Sequence, residues 1–134
     1  MNLFHQIAFL CVLFCAVSLH AQLAVTVSPP KITGQKAVVQ LKMKNDLADT
    51  VKSARAVCFL LDGQGKMVGQ STKWVVGENH TGLEPKVGAT FNFVITSPQP
   101  FTTTNLTAKV SFSRVVLDGD KLADVTKAVS VTTP

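Results

Sequence analysis

The sequence predicts an all-β domain, a sandwich or barrel of about seven short antiparallel strands, behind an amino-terminal export signal. Two observations carry the fold class. Apolar side chains recur at every second position through most of residues 22–134, as they do on a half-buried strand. Clusters of Gly, Pro, Asn and Asp interrupt these runs roughly every eight to twelve residues. A third observation carries the export signal: Ile7 to Val17 is almost wholly apolar, after a short polar lead and before Ser18-Leu19-His20-Ala21. That is the three-part layout of a secretory leader, with an apolar stretch in the usual range of about 7–15 residues. A membrane-spanning helix needs roughly 20.

The lead contains no Lys or Arg, so its positive charge rests on the α-amino group and His5. Cleavage is expected between Ala21 and Gln22, with Ser18|Leu19 as the second choice. Cys11 and Cys15 follow Leu10 and Phe14, large residues that argue against a lipid-modified cysteine. The expected organisation is therefore a signal peptide over 1–21 and one domain over 22–134.

The strands are read in order. Leu23, Val25 and Val27 alternate with Ala24, Thr26 and Ser28 until Pro29-Pro30 stops the run, because proline cannot donate to a ladder. Val39, Leu41 and Met43 alternate with Gln40, Lys42 and Lys44. Asn45 to Thr50 reads as a loop. A helix over Leu47 to Ala56 is disfavoured by Asp49-Thr50-Val51 and by few helix formers. Val51 to Leu61 ends in the most apolar run of the chain, and Asp62-Gly63-Gln64-Gly65 closes it as a hairpin turn. Lys66 to Val76 returns as its partner. Gly77 to Gly82 and Leu83 to Gly88 are loop and turn. Phe91, Phe93 and Ile95 alternate next, and Ser97-Pro98-Gln99-Pro100 breaks the chain. Ala108, Val110 and Phe112 alternate until Val115-Val116-Leu117 shifts the phase, which predicts a bulge near Arg114. A two-residue turn on Asp118-Gly119 or Gly119-Asp120 leads to a return strand carrying Val125, Val129 and Val131. The expected core is Val25, Val39, Leu41, Val57, Phe59, Leu61, Phe91, Phe93, Ile95, Val110, Phe112 and Val129.

The stretch Cys58-Phe59-Leu60-Leu61-Asp62-Gly63-Gln64-Gly65-Lys66-Met67-Val68-Gly69 resembles the FxLYD-type domains of bacterial exported proteins. Leu60 and Asp62 match the signature, while Cys58 and Leu61 stand where Phe and Tyr would be. Leu83-Glu84-Pro85 matches a later turn, with Gly88 displaced by two residues, and Val39 to Asn45 resembles an earlier strand. The resemblance spans roughly Ala24 to Val131 and implies an immunoglobulin-like β-sandwich with no catalytic residues to carry over.

Composition narrows the function. With 13 Lys and Arg against 8 Asp and Glu the net charge is +5, scattered without a basic block, so no nucleic-acid partner is expected. No second apolar span follows the leader, so no membrane span is expected after cleavage. His80 is the one histidine after the leader and lies in a loop without triad or zinc partners at set spacing. Cys58, alone after cleavage, reads as a small buried hydrophobe, with an intermolecular disulfide as its alternative. Asp118 and Asp120 flank a glycine without a third carboxylate, so turn chemistry outweighs a Ca²⁺ site, and Asp62 reads the same way. Lys36, Gln40, Lys42 and Lys44 fall on one face of a strand and read as its solvated face, with a basic binding patch as the alternative. Asn79-His80-Thr81 and Asn105-Leu106-Thr107 are glycosylation sequons that matter only in a eukaryote. Trp74 reads as packing rather than a sugar platform, given so few aromatics.

No catalytic, cofactor-binding or metal-binding residue is assigned, and no cofactor is expected. The expected role is a secreted or periplasmic non-catalytic binding or accessory module for an unknown protein or envelope component. Its contact surface would be a strand edge or the loops Asn45–Thr50, Gly77–Gly82 and Ser97–Thr103. The alternative is a structural subunit of a cell-surface assembly joined by strand addition.

Overall fold

Pro29 and Pro30 set the first boundary: β1 (Leu23–Val27) ends before them and a short β2 (Lys31–Thr33) follows. In this computed structural model, which describes residues 21–133, both strands lie antiparallel on the same side of β3 (Lys36–Asn45). Leu23 faces Asn45 and Val27 faces Leu41, while Ile32 faces Ala37. On the other side of β3 runs β6 (Gly88–Thr96), with Leu41 opposite Phe91 and Ala37 opposite Ile95. The second sheet has β4 (Val51–Leu61) at its centre, between β5 (Met67–Val76) and β7 (Thr107–Leu117), with a two-residue β8 (Lys121–Leu122) beyond β7. The two sheets form a sandwich-like all-β domain and neither closes into a barrel. Residues 1–20 of the leader and the second-choice cleavage site, Ser18|Leu19, lie outside the described residues, while Ala21|Gln22 falls at their start. Among the described residues no helix is long and apolar enough to cross a membrane.

The last segment departs from the expected hairpin. β8 pairs with β7 only at Val116 and Leu117. The turn before it has three residues, not two: Leu117 pairs with Lys121, and Gly119 and Asp120 take φ of 77° and 59°. Val125 is not on a return strand. It opens one helical turn, α1 (Val125–Ala128), whose start is fixed by the Asp124 carboxylate accepting from Thr126 N–H at 3.2 Å. That turn carries the chain across to the first sheet. There β9 (Val129–Thr132) pairs with β1 in parallel, Leu23 beside Val129, so the pairing is not wholly antiparallel.

Seven of the twelve residues assigned to the core are buried: Val25, Val39, Leu41, Phe93, Ile95, Phe112 and Val129. Phe91 and Val110 are half-buried at its margin, Phe91 meeting Phe93 edge-on at 5.2 Å. The assignment of Val57, Phe59 and Leu61 is wrong by one residue. Ala54, Ala56, Cys58 and Leu60 face inward, and Val57, Phe59 and Leu61 lie half-buried on the outer face. The run is apolar on both parities, so alternation could not choose a face. Volume chooses it. The facing sheet supplies Leu23, Val27, Leu41 and Phe93, and small side chains on β4 leave room for them at a sheet separation of about 10 Å. The phase shift near Arg114 is present: Arg55 faces Arg114 but Ala56 faces Phe112, leaving Ser113 as the extra residue.

Asn45 was expected in a loop and is instead the last residue of β3, fully buried. Its amide nitrogen donates to Leu83 O at 2.8 Å and Asp49 O at 3.0 Å, and its Oδ1 accepts from Leu47 N–H at 2.9 Å. One side chain thus ties the β3–β4 loop to the β5–β6 loop, as a buried polar group with every bond made. Asn45→Ala should cost about 2–4 kcal/mol, because the buried bond to Leu83 O and the part-buried bonds to Asp49 O and Leu47 N–H are lost together. Urea unfolding of wild type and variant measures this. A loss under about 0.5 kcal/mol, the scale of an ordinary surface substitution, would contradict the role.

Candidate functional site

The candidates singled out in the sequence do not converge. His80 is exposed at the tip of the β5–β6 loop with φ of 59°, its N–H donating to Gly77 O at 3.1 Å as a turn residue. Asp62 binds its own turn: its Oδ1 accepts from Gln64 N–H and Lys66 N–H, each at 2.9 Å. Asp120 is ion-paired with Lys52 at 2.6 Å across exposed surface, which holds its carboxyl below the usual range and raises the lysine. Among the described residues no three His, Cys, Asp or Glu side chains stand close enough to hold a metal. The predicted contact loops divide. Asn45–Thr50 and Gly77–Gly82 meet at one end of the sandwich, and Ser97–Thr103 packs at the other against the β2–β3 turn, where Phe101 N–H donates to Gly34 O at 3.1 Å.

Charge is sorted by element. All eight carboxylates lie in loops, turns or the α1 cap, and none lies on a strand. Except for Asp62 they cluster at the end where β3 meets β4. Charges on strands are cationic throughout. Lys36, Lys42 and Lys44 point away from the core on the first sheet, as expected of a solvated face. On the outer face of the second sheet, Trp74, Arg55 and Arg114 form one cross-strand row. The Arg55 guanidinium lies over the Trp74 ring at 5.9 Å, and Trp74 is 39% exposed at the rim. Among the described residues neither arginine nor Lys109 has an ion-pair partner.

The two long seams between the sheets differ. Along β5 and β6 the seam is shut. A Cβ on Gly69 would stand only 2.9 Å from Ile95 Cγ2, so glycine is what lets β6 press against β5. Lys73, at an inward register opposite Ala56, keeps the β5 edge polar. Along β7 and β9 the seam is open. From Thr107 to Arg114, β7 pairs with β4 on one side and with nothing on the other among the described residues. Three concavities follow that edge in line. The first, about 160 Å³, lies among Pro29, Pro30, Leu106 and Ala108. The second, about 360 Å³, lies among Phe59, Lys109, Val110 and Val131. The third, about 290 Å³, lies among Arg114, Val115, Leu122, Ala123 and Val125. Val131 shares the face of buried Val129 yet stays 39% exposed, because no strand among the described residues covers it.

This groove was not foreseen as a place, although a strand edge was expected as a surface. Its signal was the four-residue step from Val125 to Val129 behind Asp124, a capped helical turn rather than a continuing strand.

Chemically, the groove offers unpaired backbone groups, apolar hollows and cations. Cys58 is fully buried with no disulfide, and burial pushes its thiol from 9.0 up to about 11. A thiol-reactive disulfide reagent at neutral pH should therefore label the native protein at the rate of global or local opening, and label fast only in denaturant. Between pH 9 and 11 the unfolded chain loses this proton and the folded chain keeps it, so stability should fall as pH rises through that window. Labelling of the native chain as fast as of the denatured one would contradict the burial.

In comparisons with protein-family models, curated proteins and solved structures, nothing matches this chain.

Proposed function

We propose that the chain is an exported, non-catalytic binding or accessory module, acting in the periplasm or outside the cell on a protein or envelope component. The observation that carries the reading is the open β7–β9 seam, where a long unpaired edge and apolar hollows coincide. An edge of this kind recognises polypeptide, because main-chain donors and acceptors are its principal chemistry. The leader-like run Ile7 to Val17 supports export. The resemblance of Cys58 to Gly69 to FxLYD-type domains supports an immunoglobulin-like variant of the sandwich. The scattered positions of His80, Cys58 and Asp120 favour binding over catalysis.

A second reading is favoured by the same edge: a subunit of a surface assembly, each copy accepting a strand from the next. The two readings part on what sits in the seam. A photoreactive phenylalanine analogue replacing Val131, in cells exporting the chain, should form adducts with a separate polypeptide if the module reading holds. Adducts with further copies of the chain would favour the assembly. Adducts formed equally from Lys42 on the opposite face, or none from Val131, would overturn both. Mass spectrometry of the exported chain should find an amino terminus at Gln22 or Leu19, and an intact leader would refute export.

A further inference from the structure

We propose that the occupant of the β7–β9 groove is an extended segment of another polypeptide, in which apolar side chains alternate with carboxylates. This rests on the module reading above and names the chemistry of the partner.

The extended form follows from the edge. From Thr107 to Arg114 the outer side of β7 lacks a neighbouring strand among the described residues, while β8 and the Ala123 N–H, bonded to Val115 O at 3.0 Å, cover only what comes after. A strand laid there would complete the ladder. Its side chains would alternate between two faces. Those turned inward would meet the hollows beside Ala108, Val110 and Val115, whose combined lining is mainly apolar. Those turned outward would stand beside Lys109, Ser111 and Arg114. Both cations lack ion-pair partners among the described residues, and no carboxylate lies on any strand of this sheet. Opposite charges across a strand pair attract and like charges repel.

The same charges exclude the simplest competitor. Two copies joined by their β7 edges would set Lys109 and Arg114 of one against Lys109 and Arg114 of the other, with no acid on either strand. The β5 edge is a poorer host, because Gly69 and Ile95 close the seam beside it and Lys73 sits at an inward register. The groove thus selects an acidic, alternating strand from a different chain.

Fluorescence anisotropy tests this with the chain as recovered from an exporting host, at low salt. The probes are labelled, end-blocked peptides of about eight residues, the length of an ordinary strand: alternating Val and Glu, alternating Val and Lys, and the Val-Glu peptide with alternate backbone nitrogens methylated. The Val-Glu peptide should bind at least about tenfold more tightly than the Val-Lys peptide. Backbone methylation should abolish binding. The double variant Lys109→Glu, Arg114→Glu changes exposed positions only, and it should reverse the order of the two peptides. Equal binding of both, tolerance of methylation, or no binding would overturn the inference. If Val131 still forms adducts with a separate polypeptide in cells, the module reading survives that failure and only the stated chemistry falls.

Discussion

The parallel pairing of β9 with β1 is the constraint on which the remaining architecture turns. A strand that followed β8 along β7 would have completed the second sheet and covered Val110. Asp124 instead caps a single helical turn, and Gln22 anchors that turn through its side-chain amide, donating to Lys127 O at 2.9 Å. Val129 is then buried beside Leu23 in the first sheet. That commitment leaves β7 unpaired on its outer side from Thr107 to Arg114 among the described residues, beside a lengthwise groove.

The two sheets divide the work of filling the core. Branched and aromatic side chains come mainly from the first sheet, and alanines with Cys58 come from the centre of the second. The consequence appears on the outside. The first sheet presents lysine, threonine and asparagine to solvent, whereas β4 presents Val57, Phe59 and Leu61 beside Trp74 and unpaired cations. Acids are confined to loops and turns, where Lys52 and Lys44 already engage some of them. The second sheet is therefore the more apolar outer face, next to the open seam, and its strand charges, like those of the first sheet, are all cationic.

Much of the framework could be read from residues alone. Alternation placed β1, β3, β6 and most of β7, the prolines ended β1, and the phase break located the bulge beside Arg114. Period-two logic failed where the pattern lost contrast. In β4 both parities are greasy, so the face was decided by how much volume the opposing sheet already supplied. Asn45 looked like a turn residue because its partners, Leu83 and Asp49, are assembled only by the fold. The groove was invisible for a different reason: an unpaired edge is a property of topology, and topology here hangs on one capped turn at Asp124. The charges that give the groove its selectivity were read as dispersed, because their segregation onto strands emerges only once strands and loops are assigned.

The central claim is that from Thr107 to Arg114 β7 has a neighbour on one side alone among the described residues, and native-state amide hydrogen exchange followed by NMR tests it most directly. Within a strand that pairs on one side, successive N–H groups point alternately toward the partner and away from it. From Thr107 to Phe112, every second amide should exchange quickly while those turned to β4 stay protected. Unbroken protection across that stretch would mean the edge is already covered, and the account would fail.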